Sequence, residues 1–151
     1  MKTLLETISE ITKYGLEKNL TEVEKEKNLE RNLVRLYNFY FEIKFEFDGE
    51  DYEEFERPQP KSIIENIKSN FPEFGFYKIV LDINEIDNLN GNALGDAVDD
   101  LLDITIDLLE VKWRMENNSV EDGLWHFNFS FENHIQQHIL DLLNYLKNRT
   151  E

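Results

Sequence analysis

The chain has no cysteine, which excludes disulfides, cysteine-type zinc fingers, iron–sulfur clusters and thiol catalysis. It has 3 prolines and 6 glycines in 151 residues, too few for a low-complexity linker, so a single domain spanning the whole chain is expected. No stretch approaches the roughly 18 uncharged apolar residues of a membrane span. Glu6 and Glu10 interrupt the apolar pattern of the N-terminal segment, which leaves no signal-peptide core, and a cytoplasmic location is the default expectation. Positive charge is scarce. Lys and Arg total 16 against 32 Asp and Glu, a net charge of −16. Such a surface repels phosphate backbones and anionic headgroups, so neither nucleic acid nor membrane is an expected partner. Phosphate-cradling glycine loops, the G-x-S-x-G elbow and H-E-x-x-H are also missing. No cofactor is expected from motifs of these kinds.

Apolar side chains are plentiful, at 40% hydrophobic and 13% aromatic residues, so a real core is expected and disorder is not. Five helical segments follow from apolar spacing. The first spans about 2–18, with Leu4, Ile8, Ile11 and Gly15 on one side. The second is opened by a Thr21–Glu24 capping box and carries Leu29, Leu33, Leu36, Tyr37 and Tyr40. Phe41, Ile43, Phe45 and Phe47 alternate with charged residues, which taken alone is a strand signal. No second run of similar quality is there to pair with it. Seven acids against one base mark an exposed acidic loop over about 46–57. Pro58 and Pro60 start a short third helix that Pro72 ends. An irregular segment follows over about 72–92, with Phe76–Leu81 as an apolar plug, either short helix or extended chain. The fourth helix is expected over about 93–117. The fifth starts at a Ser119–Asp122 cap, runs to about Leu146, and must pack antiparallel to the fourth across so short a turn.

Four blocks carry a resemblance to a known family. They are Phe71-Pro72-Glu73-Phe74-Gly75-Phe76-Tyr77-Lys78-Ile79-Val80-Leu81-Asp82, similar to F-P-x-L-G-Y-Y-x-V-V-L-D, and the run from Asp99 to Leu108, similar to D-D-L-A-D-I-Y-x-D-L. The run from Leu124 to Glu132 is similar to L-W-E-W-x-F-S-F-E, and that from Glu132 to His138 to E-x-H-W-G-x-H. In this order and spacing the chain resembles the bacterial domain-of-unknown-function family 5063. Departures are Phe127 for Trp, Thr105 for Tyr and Ile135-Gln136 for Trp-Gly. The resemblance implies an all-helical fold and implies no activity. Together with the periodicity, the expected fold class is all-α, a single-domain bundle of about five helices.

Two constellations carry possible chemistry. His134 and His138 are one helical turn apart, a spacing that can place two imidazoles on one ion. Projected on a helix they fall within an apolar stripe, with Glu132 beside it, so each needs a partner. One reading is a metal or acid–base site of Glu132, His134 and His138 with Asp100 or Asp107 from the preceding helix. The other is a set of buried hydrogen bonds that fixes helix register, which takes precedence because the sequence identifies no third ligand. His126 falls on a polar face and is expected to be solvated. Asp96, Asp99, Asp100, Asp103, Asp107 and Glu110 form an acidic stripe without a base. Asp96, Asp100, Asp103 and Asp107 project opposite the leucines of their helix and would meet the histidines only if that helix were packed on both sides. Asp82, Glu85 and Asp87 resemble part of a cation-binding loop but lack its glycine and twelfth-position glutamate.

Charge and the absence of catalytic motifs favour a non-enzymatic interaction module, immunity- or antitoxin-like. It would present Asp96, Asp100, Asp103 and Asp107 to a basic protein. The alternative from a different class is a metal-binding helical bundle or metal-dependent hydrolase. The wide apolar arc of the last helix leaves monomer and homodimer both open.

Overall fold

Thr3 begins the first helix of the computed structural model, which describes residues 3–149. Its hydroxyl accepts from the Glu6 N–H at 3.1 Å, and helix α1 runs Leu4–Leu16. Helices α2 (Lys25–Glu42) and α3 (Pro60–Asn70) follow. The Thr21–Glu24 capping box does not form: Glu24 lies in the left-handed region at φ 58° and offers no side-chain cap. The reason is Glu22, whose carboxylate accepts from Tyr14 at 2.8 Å and Asn28 at 2.5 Å and so draws the turn against α1. The α1 end is also closed from α3, where Asn66 donates to Gly15 O at 2.8 Å and Asn70 to Tyr14 O at 2.9 Å. Those bonds satisfy carbonyls that the helix end would leave orphaned.

The alternation at Phe41–Phe47 makes no strand. Helix α2 continues to Glu42, and residues 43–59 carry no regular secondary structure. This acidic segment lies across the helices that follow it in sequence. Ser119 donates to Asp48 at 2.5 Å, the Glu46 N–H to Glu121 at 2.6 Å, and Phe55 meets Trp113 with ring centroids 5.8 Å apart.

The fold is mainly helical but not all-α. Strands β1 (Phe76–Val80) and β2 (Asn92–Asp96) pair antiparallel, with Phe76 opposite Asp96 and Val80 opposite Asn92. The first turn expected of the fourth helix is therefore strand, and helix α4 starts at Ala97. Gly95 explains the choice: a Cβ there would stand 2.4 Å from Cζ of Tyr77 across the ladder. A side chain at position 95 would displace that ring from its place against the neighbouring strand.

Helix α4 (Ala97–Asn117) is the centre of the molecule and contacts α1 and α3 as well as the helices that follow it. Its buried residues include Leu101, Ile104, Leu108 and Val111, and also Asp100, Thr105 and Asp107. Burial all round shows that α4 is packed on both sides, the condition for its aspartates to reach the histidines. Ser119 caps helix α5 (Val120–Ser130) by accepting from Asp122 N at 3.0 Å. A π turn at Phe131–Ile135 then leads into helix α6 (Gln136–Lys147). Backbone angles stay helical through both junctions, so 120–147 is one rod with a widened turn, running back along α4. Together the elements form a single compact domain. Among the described residues, no helix is long and apolar enough to cross a membrane.

Gly123 marks a close approach of α4 and α5. A Cβ there would lie 2.9 Å from the Met115 N and 3.1 Å from its Cα. Alanine for glycine within a helix ordinarily stabilises, by up to about 1 kcal/mol. Gly123→Ala is expected instead to destabilise by about 1–3 kcal/mol through overpacking, read by urea denaturation. A gain in stability would show that the two helices are not locked at this distance.

Candidate metal centre

The π turn and α6 bring His134 and His138 over the acidic face of α4. His134 Nδ1 lies 2.5 Å from Asp107 Oδ2, and His138 Nδ1 lies 2.8 Å from Asp100 Oδ1. The other ring nitrogens converge: the two Nε2 atoms are 3.2 Å apart, with the rings nearly perpendicular at 88°. Asp103 completes the triangle. Its Oδ2 is 3.2 Å from His138 Nε2 and 3.9 Å from His134 Nε2. The widened turn contributes directly, since Gln136 N–H bonds back to Phe131 O, five residues away, rather than four. Turns of this kind recur at functional sites, where they re-phase a helix.

The carboxylates behind the histidines are held in turn. Tyr77 of β1 donates its hydroxyl to Asp100, and Arg57 from the acidic segment approaches Asp107 at 3.6 Å. Burial and the bond to Asp100 push the Tyr77 hydroxyl well above its ordinary range. The hydrogen bond to Asp100 raises His138 above the usual imidazole value, against the opposing effect of burial. Burial pushes the Asp103 carboxyl up as well, against the opposing charges of His138 and His134 and with the nearby charges of Asp99 and Asp107 adding to the rise. The seam thus favours added positive charge. His134 is the accessible member, with 43% of its side chain exposed.

Several expected site residues stand elsewhere. Glu132 is outside the histidine cluster: it accepts from Tyr40 at 2.6 Å across the groove to α2 and is exposed. Asp96 is the α4 N-cap, accepting from Val98 N at 2.9 Å. Asp100 and Asp107 are 5% and 7% exposed, bonded to the histidines rather than turned toward a partner. His126 is not solvated; its Nε2 sits 3.5 Å from Glu110 Oε2 in a half-buried pair. Asp100, Asp103, Asp107 and Glu110 of the acidic stripe are therefore answered by bases: the three histidines and Arg57 from other elements, and Arg114 on α4 itself. The residue that sequence reading missed as a ligand is Asp103. It is distinguished from its acidic neighbours only by facing both Nε2 atoms. No protein-family model, curated protein or solved structure matches the chain.

Glu110 offers a pH test of this electrostatic ring. Burial opposes its ionisation, but the hydrogen bonds and charges of His126 and Arg114 outweigh it and hold the carboxyl at about 2. A carboxyl depressed in the folded state stabilises at pH values above its unfolded pKa, and that contribution fades as pH falls through the folded value. The stability difference between the native chain and Glu110→Gln is therefore expected to be largest above pH 5 and to shrink between pH 4.5 and 2. Denaturation midpoints across that range measure it. A constant difference would show that Glu110 carries no special stabilisation.

Proposed function

We propose that this chain is a metal-binding helical domain holding one divalent transition ion between Asp103, His134 and His138. The observation that carries the proposal is the convergence of three donor atoms, all within 4.8 Å of one another. Two ligands of a tetrahedral ion bound at 2.0–2.1 Å stand about 3.3 Å apart. Two sides of the triangle here are 3.2 Å and the third is 3.9 Å, so closing on an ion needs the long side to shorten by about 0.6 Å while the other two barely change.

The outer carboxylates give the physical reason for an ion. Each histidine faces an aspartate through Nδ1, which places the proton of the neutral ring there and leaves the lone pair on Nε2. With both rings neutral, two lone pairs and a carboxylate oxygen face one gap. A shared proton satisfies one contact among the three; a divalent cation satisfies all of them. Imidazole and carboxylate donors without thiolate suit zinc and its first-row neighbours. Three protein ligands leave a fourth position for water, the arrangement of an open rather than a closed zinc site.

The likeness to domain-of-unknown-function family 5063 is proposed on the same residues. Its second block carries Asp100, Asp103 and Asp107, and its fourth carries His134 and His138.

Tag-free protein stripped with chelator and titrated with Zn2+ by calorimetry is expected to bind one equivalent. His134→Ala and His138→Ala are each expected to abolish saturable binding. Asp100→Asn and Asp107→Asn, which remove outer-shell acceptors, are expected to weaken it by about 10–100-fold. The Co2+-loaded protein is expected to show the intense visible absorption of a tetrahedral ion, with circular dichroism confirming that each variant stays folded. Absence of saturable binding to the folded native chain for both ions would overturn the proposal.

A further inference from the structure

The hairpin made by β1, β2 and the segment joining them keeps its apolar side chains in water. Val80, Leu81, Ile83, Ile86, Leu89 and Leu94 are each more than half exposed, and Leu89 reaches 84%. Exposed leucines scattered singly need no explanation. Six within fifteen residues, on and beyond a ribbon with two free edges, are a local concentration of the sort that marks an interaction site.

The arm is held in a defined shape. At its base Ala97 N–H donates to Gly75 O at 3.1 Å, and the inward-facing Tyr77 reaches Asp100. At its tip, Asp82 accepts from Asn84 N at 3.0 Å and Asn88 from Asn90 N at 3.3 Å. The tip curls round a cavity of about 200 Å³, bordered by Val80, Ile83, Ile86 and Leu89. A preformed apolar tip loses less conformational freedom on docking than a disordered one.

Charge selects the occupant. Between residues 79 and 95 there are three acids, Asp82, Glu85 and Asp87, and no Lys or Arg. A second copy would bring six such acids together on chains of net charge −16 each, which opposes self-association. We infer that the hairpin is a docking arm whose occupant is a protein with an apolar cleft rimmed by lysine and arginine. This inference is independent of metal binding. It moves the basic partner suggested by the charge from the face of α4, where Asp100 and Asp107 are buried, to the arm.

The test places the photo-crosslinking residue p-benzoylphenylalanine at Ile83 or at Leu89 in the full chain, expressed in its native host. Val34 on α2, 53% exposed, is the control position. Expected is one discrete adduct from both arm positions and none from position 34. Mass spectrometry should identify its partner as a protein of net positive charge. Combining Asp82→Asn, Glu85→Gln and Asp87→Asn should reduce the adduct yield by about tenfold or more at low salt. An adduct of twice the chain mass would identify a second copy and overturn the inference. So would equal labelling from position 34, a yield indifferent to removal of the three charges, or no adduct at all.

Discussion

Burying a carboxylate requires a donor for it, and α4 buries two. Asp100 sits in the first turn and Asp107 midway along a helix enclosed by its neighbours, where an unpartnered carboxyl would cost more than most single contacts contribute. Their partners come from far along the chain. His138 and Tyr77 serve Asp100, while His134 and Arg57 serve Asp107. Three separate segments are thereby committed to one stretch of α4: the final rod, the hairpin and the acidic crossing segment. The geometry of the histidine cluster follows from that commitment, because fixing each ring by Nδ1 leaves its Nε2 no direction but inward.

Much of the scaffold was legible from apolar spacing. Helices α1 and α3, most of α4 and the Ser119 cap sit where periodicity and capping chemistry place them, since those signals are local. The failures are instructive for the opposite reason. The strand at Asn92–Asp96 reads as the first turn of a helix because Ala93, Leu94 and Ala97 fit the period of 3.6. What decides the matter is the ring of Tyr77 over Gly95, a contact across eighteen positions. The Thr21–Glu24 box is outcompeted by Glu22, which finds Tyr14 and Asn28 instead. The π turn left no trace in a projection that assumes a constant angle per residue.

The candidate centre was half legible. Two histidines at i and i+4 announce themselves, and the aspartates opposite the leucine stripe were recognisable as their counterparts on a single condition, packing of α4 on both faces. Sequence could not state whether that condition holds, because it depends on where α1 and α3 come to rest. It also could not separate Asp103, which faces Nε2, from Asp100 and Asp107, which face Nδ1, since that distinction turns on one ångström-scale rotation of each ring. Glu132 was drawn to the cluster by its place beside the apolar stripe on the helical projection and is claimed by Tyr40.

The widened turn at Phe131–Ile135 has one further consequence. In an uninterrupted helix each added or removed residue swings everything downstream by about 100°. The rod here carries two phases, one for the aromatic ledge of α5 and one for the imidazoles, joined at that turn. Shortening it by one residue would carry His138 out of the seam while sparing Trp125 and Phe127. The spot should therefore accept exchanges of side chain far more readily than insertions or deletions, and length within these five positions becomes the strictest constraint on how the chain can diverge.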